Sequence, residues 1–245
     1  MKVFIFASRN RKEIVRDKLN IAFGLGFPII LLLLMTAIQS KIPIPIFELK
    51  SLTPGVAVFG LSFISLFTGM LIAKDRTSSL MLRLFTSPMT SSNFIFGYTL
   101  PVFPLAIIQI MVSFVVAVLL GLNPSLNIIL TVLVLIPVAL LFIAIGLLCG
   151  SLFTDKQVGG ICGALLTNLT GWLSGTWFDL DLVGGAFQKI AYALPFYHAV
   201  EMGRVTMLKN YDQIPVHMLW ILGYDAVIIA IAIFAFTKKM HGDSV

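Results

Sequence analysis

The sequence predicts an all-α membrane protein with six transmembrane helices, and three observations lead to that prediction. First, 58% of the 245 residues are hydrophobic and only 11% are charged, whereas a soluble domain carries about 25% charged residues. Second, six apolar segments are long enough to cross a bilayer core of about 30 Å. Third, the basic residues are divided unequally between the two sides of these segments. We expect a single domain over residues 1–245, because no linker or low-complexity tract interrupts the chain.

The predicted spans are apolar segments of about 20 residues or more, the length that a helix needs to cross the bilayer. Some contain prolines, which transmembrane helices tolerate because neighbouring helices satisfy the freed backbone groups. The fourth span contains Gly146 and Gly150, a G-x-x-x-G pair that favours close helix packing. The six spans are residues 20–39, 55–73, 94–122, 126–152, 159–177 and 216–237.

The positions of Lys and Arg predict the orientation. If the N-terminus is cytoplasmic, 12 of the 17 basic residues fall in inside segments, as the positive-inside rule requires. Both termini are then cytoplasmic, and the chain is expected to be a multi-pass protein of a cell membrane, most simply the bacterial plasma membrane. The net charge of +6 needs no nucleic-acid partner to explain it.

Two segments outside the spans are predicted to lie at the membrane surfaces. Residues 2–19 combine apolar residues with six basic groups, which is typical of a helix in the inner interface that attracts anionic lipids. A simple positively charged anchor is the alternative. Residues 179–215 are too short and interrupted to span but too apolar for a free loop, which favours a re-entrant helical hairpin in the outer leaflet. An ordinary extracellular loop is the alternative there.

The connection between the second and third spans reads "AKDRTSSLMLRLFTSPM" over residues 73–89. Basic residues flank a run of Leu, Met and Phe, which predicts a short amphipathic helix on the cytoplasmic side. Such a helix can dock in a groove of a partner protein, with Arg76 and Arg83 at the solvated rim. A helix that merely lies on the bilayer is the alternative.

Three stretches resemble the ABC-2 type transporter permeases. The first is residues 73–89, where that family has an acid–Arg pair, a Leu-rich short helix and a proline before the next span. "RNRKEIVRDKL" is similar to the family's interfacial helix, and "ALPFYHAVEMGR" to its segment before the last span. The resemblance implies that this stretch is the family's coupling helix, the element on which the ATPase acts. Its residues here are Asp75, Arg76, Leu80, Leu84 and Pro88.

The resemblance implies a permease subunit of an ABC exporter that works with a second permease subunit, identical or different. No G-x-x-x-x-G-K-[ST] motif occurs in the sequence, so the chain is not expected to be an enzyme or to bind a cofactor itself. A separate cytoplasmic ATPase would hold ATP and Mg²⁺. The cargo implied is an amphipathic drug, antibiotic or peptide. Export of a polysaccharide or lipid-linked glycan is the alternative.

Polar residues inside the spans are the candidates for an export pathway. The resemblance implies that spans two and five line that path, and Asp225 is the one acid well inside a span. Hydrogen bonding between helices explains the hydroxyl and amide groups equally well, and a near-interface position explains the acid. The candidates are Ser62, Ser65, Thr167, Asn168 and Asp225.

Two other functional classes are weighed against this one. An intramembrane serine protease would need Ser174 and His217 within hydrogen-bonding distance, and an ATP-independent channel or carrier would need no partner ATPase. The three histidines lack metal-ligand spacing, so no metal site is expected, and we expect them at interfacial or surface positions.

Overall fold

The computed structural model describes residues 2–42, 44–77 and 91–242. Within these residues the regular structure is helical and contains no strand. A π-helix, Gly159–Leu166, lies between α7 and α8, and short 3₁₀ turns lie at Pro45–Phe47 and Tyr211–Gln213. The α-helices are α1 (Lys2–Arg16), α2 (Lys18–Gln39), α3 (Leu49–Thr77), α4 (Ser91–Leu119), α5 (Leu126–Val134), α6 (Ile136–Leu152), α7 (Asp155–Val158), α8 (Thr167–Leu173), α9 (Leu180–Val183), α10 (Gly185–Ala193), α11 (Pro195–Met207) and α12 (Ile214–Gly242).

Five helical segments of the described residues are long and apolar enough to cross a membrane. They coincide with the first, second, third, fourth and sixth predicted spans, with ends that differ by a few residues. The fourth is divided at Leu135 into α5 and α6. Pro137 lies in the first turn of α6, where a residue needs no N–H for the helix hydrogen bonds. The segments are Lys18–Gln39, Leu49–Thr77, Asn93–Leu119, Leu126–Leu152 and Tyr211–Lys238.

The predicted fifth span differs from these because a π-helix, Gly159–Leu166, occupies its first half. Helical structure runs from Asp155, behind a capping box formed by Thr154 and Gln157, through the π-helix to Leu173. It ends before the predicted Trp177 because Gly175 adopts a φ of +70°, a turn conformation that suits glycine. A long π-helical stretch is unusual, and single π turns are frequently found at functional sites.

Helix α3 lies at the centre of the bundle, and most of its length is buried. It packs most closely against α6, where small residues let the two backbones approach. A Cβ atom on Gly146 would lie 2.4 Å from the Ser65 carbonyl oxygen, and one on Gly150 would lie 2.6 Å from the Gly69 carbonyl oxygen. The G-x-x-x-G pair of the fourth span therefore makes the close contact that the sequence predicts.

The N-terminal segment forms a separate helix, α1, and its place in the inner interface stays a prediction. Asp17 ends it and begins α2, since its Oδ1 accepts a hydrogen bond from the Asn20 amide at 3.2 Å and its Oδ2 accepts one from Asn20 Nδ2 at 2.6 Å. This is the usual action of an N-cap aspartate. One face of α1, with Phe6 and Asn10, is buried against α4, whereas the rest of the helix is largely exposed.

The segment before the last span contains the three short helices α9, α10 and α11. Pro195 begins α11 at a position where its missing N–H costs nothing. Helix α11 is buried on one side against α3, α5 and α12. At 13 residues it is about 20 Å long and too short to cross the bilayer.

Candidate functional site

Asp75, at the C-terminal end of α3, is the centre of a buried polar cluster. Asp75 is 2% exposed, and its carboxylate accepts two hydrogen bonds from the Arg9 guanidinium, at 2.5 and 2.8 Å. The Tyr98 hydroxyl donates a third, at 2.9 Å. Paired donation from a guanidinium to a carboxylate is a strong, geometrically specific contact. Asp75 thus joins α3 to α1 and α4.

Two carboxylates, those of Asp75 and Glu13, affect the protonation of Arg9. The guanidinium also lies 2.5 Å from Glu13 Oε2, one helical turn along α1. Partial burial acts to lower the Arg9 pKa, but the hydrogen bonds and charge of Asp75 and the charge of Glu13 outweigh it, and the pKa is raised. Arg9 is therefore charged at every physiological pH.

Arg76 points the other way and binds the end of α6. Its Nη1 donates to the Gly150 carbonyl at 2.8 Å and to the Phe153 carbonyl at 3.3 Å. The last carbonyls of a helix lack intrahelical partners and carry the negative end of its dipole, so a cation there is stabilising. The position of Arg76 at the rim of a partner's groove stays a prediction, and within its own chain the side chain is partly buried.

Asn10 fixes α1 to α4 through a carbonyl that proline makes available. Pro101 has no N–H to bond the carbonyl of Gly97, four residues earlier, and Asn10 Nδ2 donates to that carbonyl at 3.0 Å. Gly97 also lets Phe6 approach, because a Cβ atom at residue 97 would lie 2.3 Å from the Phe6 ring. The Phe6 ring stands edge-on to Tyr98 at 5.0 Å.

The segment 78–90, which connects α3 to α4 in the sequence, includes most of the predicted coupling helix. Leu80, Leu84 and Pro88 lie outside the described residues, whereas Asp75 and Arg76 directly precede the segment. Sequence reasoning missed Arg9, Asn10 and Tyr98. The sequence does contain a signal for the role of Asn10, because a proline inside a helix leaves the carbonyl four residues earlier in need of an outside donor.

A second arginine has a similar role at the opposite end of the bundle. Arg204, in α11, donates from Nε to the Ser51 carbonyl at 3.1 Å and from Nη2 to the Gly175 carbonyl at 2.7 Å. It lies 3.6 Å from Glu201. Burial raises the Glu201 pKa, although the Arg204 charge opposes this, and burial lowers the Arg204 pKa. Arg204 therefore ties the segment before the last span to the start of α3.

The candidate pathway residues of the second span are buried inside the chain. Ser62 and Ser65 are both 0% exposed. Ser62 Oγ donates to the Phe59 carbonyl at 2.6 Å, and Ser65 Oγ lies 3.9 Å from Cys162 Sγ on the π-helix. In this conformation both hydroxyls contribute to helix packing, and their place on an export pathway stays a prediction.

The candidates of the fifth span lie on or near its outer face. Asn168 is exposed and donates from Nδ2 to the Ala164 carbonyl at 2.8 Å. Thr167 is partly buried, and its hydroxyl donates to the Cys162 carbonyl at 3.1 Å. Side chains thus donate hydrogen bonds to two carbonyls of the π-helix. Asn168 stands on a face where Gly160, Ala164 and Leu165 are also exposed.

Asp225, in α12, is 6% exposed. Among the described residues its Oδ1 has no hydrogen-bond partner. A buried polar atom without a partner costs free energy, so a near-interface acid reached freely by water does not describe this residue. The structure does not bring Asp225 together with Ser62, Ser65, Thr167 or Asn168 by any hydrogen bond within its described part.

We expect Asp225→Leu to raise the free energy of unfolding by about 1 kcal/mol, because it removes a buried atom without a partner. We expect the same substitution to reduce transport, because an acid retained inside a span at a cost in stability serves a function. Thermal unfolding in mild detergent and a transport assay test the two effects. Asp225→Asn is the matched control for shape. Full transport by a stabilised Leu variant would show that the acid is incidental.

The protease alternative lacks its geometry in this structure. Ser174 Oγ is hydrogen-bonded to Thr176 Oγ1 at 2.7 Å, whereas His217 Nδ1 lies 2.9 Å from His198 Nδ1. His198 and His217 are buried, at 6% and 8% exposed, so a surface position is wrong for both, and an interfacial position stays a prediction. Each packs against an aromatic ring, His198 on Trp220 and His217 on Tyr197. In the described part of the chain no group of His, Cys, Asp and Glu could hold a metal ion.

The family model described as ABC-2 type transporter matches residues 1–208, which include α1 to α11 and both arginine clusters. No curated protein matches the chain.

Proposed function

The chain belongs to the ABC-2 type transporter family, and on that premise we propose that it is the permease subunit of an exporter driven by a separate ATPase. Membership makes it a multi-pass membrane component of an ABC transporter. The proposal adds the direction of transport, the element that receives the work of ATP hydrolysis, and the class of cargo.

The observation that supports the coupling role is the way both ends of segment 78–90 are held. At its start, Asp75 is bonded to α1 and α4, and Arg76 to the end of α6. At its end the chain enters α4, which carries Tyr98 and Gly97. A displacement of this segment by an ATPase would act on four helices at once rather than on one loop. ATP and Mg²⁺ would be held by that ATPase.

The proposed topology has six spans, with residues 155–173 as the fifth. This segment is helical throughout, and its composition is apolar apart from the polar residues near its ends. With α1 in the inner interface, the coupling segment falls on the cytoplasmic side and α9 to α11 on the outer side. Both termini are then cytoplasmic, in agreement with the distribution of basic residues.

We expect cysteines at Lys156 and Asp212 to react oppositely with a membrane-impermeant reagent applied to intact cells. Both residues are exposed, and in the proposed topology position 156 lies at the inner end of the fifth span and position 212 lies just before the sixth. The native Cys149 and Cys162 are buried, and a variant without them is the background control. Labelling at position 156 but not at 212 from outside would overturn the orientation.

A second permease subunit is proposed to cover the outer face of the fifth span. That face combines small residues with the exposed amide of Asn168. An amide in the membrane region is best satisfied by a partner helix or a wet cavity. Two such faces, from identical or different subunits, would line one export path between them.

The cargo proposed is an amphipathic drug, antibiotic or peptide. The exposed face of the fifth span is mainly apolar with single polar groups, which suits a molecule that is partly apolar itself. A polysaccharide or lipid-linked glycan is the second candidate within the same family. An ATP-independent channel or carrier is the alternative from another class.

Transport in proteoliposomes tests the function. The chain is reconstituted with its ATPase, and accumulation of a fluorescent amphipathic cation is followed with ATP and with a non-hydrolysable analogue. Transport only with hydrolysable ATP is expected. The same assay with a lipid-linked glycan distinguishes the two cargo classes, and equal flux without ATP would favour the channel or carrier.

A further inference from the structure

A groove of about 450 Å³ lies between α1, the start of α2 and the cytoplasmic half of α4. Helix α1 forms one wall, with Phe4 and Val15 at its exposed edge. The opposite wall is α4 from Leu100 to Ile108, a distance of about 12 Å along the helix axis. Leu100 and Ile108 are 44% and 47% exposed, so this wall opens toward the membrane side of the bundle.

The polar side chains of this groove belong to Ser8 and Arg11, and its other lining residues are apolar. Both polar residues lie on α1 and are exposed. Arg9, two positions away, is committed to Asp75 and Glu13. Arg11, in contrast, has no ion-pair or hydrogen-bond partner among the described residues. The groove thus combines an apolar trough with one available guanidinium at its mouth.

We propose that this groove binds one anionic glycerophospholipid of the inner leaflet. One acyl chain lies along α4 past Pro104 and Leu105 to Ile108, and the phosphate is bound by Arg11 and the Ser8 hydroxyl. An arginine binds phosphate oxygens through two parallel N–H donors. The neighbouring Lys12 adds positive potential that favours an anionic head group.

The location also agrees with a lipid rather than a water-soluble ligand. The inference rests on the topology proposed above, in which α1 lies at the inner surface. The phosphate site is then at head-group depth, and the trough descends from it along α4 toward the bilayer centre. A soluble phosphate compound would leave the apolar trough unfilled, and a second protein subunit would not explain a single cation at its mouth.

Lipid retention by the purified full-length chain tests the proposal without any ATPase. The protein is incorporated into vesicles of phosphatidylcholine and phosphatidylglycerol and extracted with mild detergent. Bound phospholipid is then counted by native mass spectrometry. Arg11→Gln is expected to reduce retained phosphatidylglycerol about tenfold, the size of effect expected from losing one charge-assisted phosphate contact. Arg16→Gln, which removes an equal charge outside the groove lining, is the control.

A second pair of variants tests the trough. Ile108→Trp would fill it, whereas Met111→Trp places the same side chain at an exposed position of α4 outside the lining. Loss of retained lipid is expected only in the first. Glycerol phosphate without acyl chains should not displace the lipid, and displacement would identify a soluble-phosphate site instead.

Three results would overturn the proposal. Equal losses in Arg11→Gln and Arg16→Gln would indicate general attraction to a charged surface. Unchanged retention in Ile108→Trp would place the acyl chain elsewhere. A change of oligomeric state in Ile108→Trp, with lipid retention unchanged, would make the groove a contact between subunits. Because no ATPase or cargo is present, these outcomes do not depend on the transport function.

Discussion

Leu84→Asp is expected to abolish co-purification of the chain with its ATPase and to abolish transport. Leu84 lies in the apolar run of the connection between α3 and α4, which we propose to dock in a groove of the ATPase. A charge buried there without a partner costs several kcal/mol, and a loss of about 4 kcal/mol weakens association about a thousandfold. The measurement is co-purification and transport at matched expression.

The neighbouring residues supply the controls for this experiment. Leu84→Met keeps an apolar side chain of similar volume and should preserve association. Thr77→Asp introduces the same charge at the last residue of α3, which is exposed, and should have a small effect. Wild-type association and transport in Leu84→Asp would show that this segment does not bind the ATPase.

Arg9→Met is expected to lower the free energy of unfolding by about 2–3 kcal/mol, because it removes two charge-assisted hydrogen bonds from a buried carboxylate. Asp75→Asn should be milder, since the Arg9 side chain is 37% exposed and water can replace part of the lost contact. This order, Arg9→Met worse than Asp75→Asn, follows from the unequal burial of the two partners. Thermal unfolding in detergent measures both.

A double variant separates the pair from its surroundings. Arg9→Met combined with Asp75→Leu should be more stable than Arg9→Met alone, because the buried carboxylate that has lost its guanidinium partner is gone. Lys12→Met, at an exposed position of α1, controls for the loss of a cation. Equal stability of Arg9→Met and Lys12→Met would show that the buried cluster contributes little.

The contact between Arg9 and Asp75 also leads to a prediction about the coupling of ATP hydrolysis to transport. If α1 moves with the end of α3, Arg9→Met should reduce transport relative to ATP hydrolysis even at temperatures where the variant is folded. A variant that folds and transports normally would limit Arg9 to a structural role.

The spans could be predicted from the sequence because each requires only a long apolar segment, a property of composition that needs no knowledge of neighbours. The predicted fifth span is the hardest to assign, since the π-helix at Gly159–Leu166 depends on backbone register, to which hydropathy is insensitive. The short helices α9 to α11 were predicted as a helical segment but without their divisions, which are set by turns at Gly184 and Leu194.

The polar clusters were only partly predictable, because their members are distant in the sequence. Asp75 and Arg76 could be singled out from their motif, yet their partners could not. Arg9 is 66 residues from Asp75, and Gly150 is 74 residues from Arg76. Periodicity within one helix says which side is apolar, but it does not say which other helix that side meets.

The contact between Asn10 and the Gly97 carbonyl has a consequence for how the protein is made. The two residues are separated by 87 positions, which ribosomes translate in roughly 4–17 s. For that interval α1 exists before the helix that will receive it. Phe6 and Ala7 then need another apolar environment, and we expect the nascent chain to find it at the surface of the membrane into which it is being inserted. The apolar residues on both sides of α1, buried Phe6 and exposed Phe4, suit a helix that meets lipid first and the bundle later.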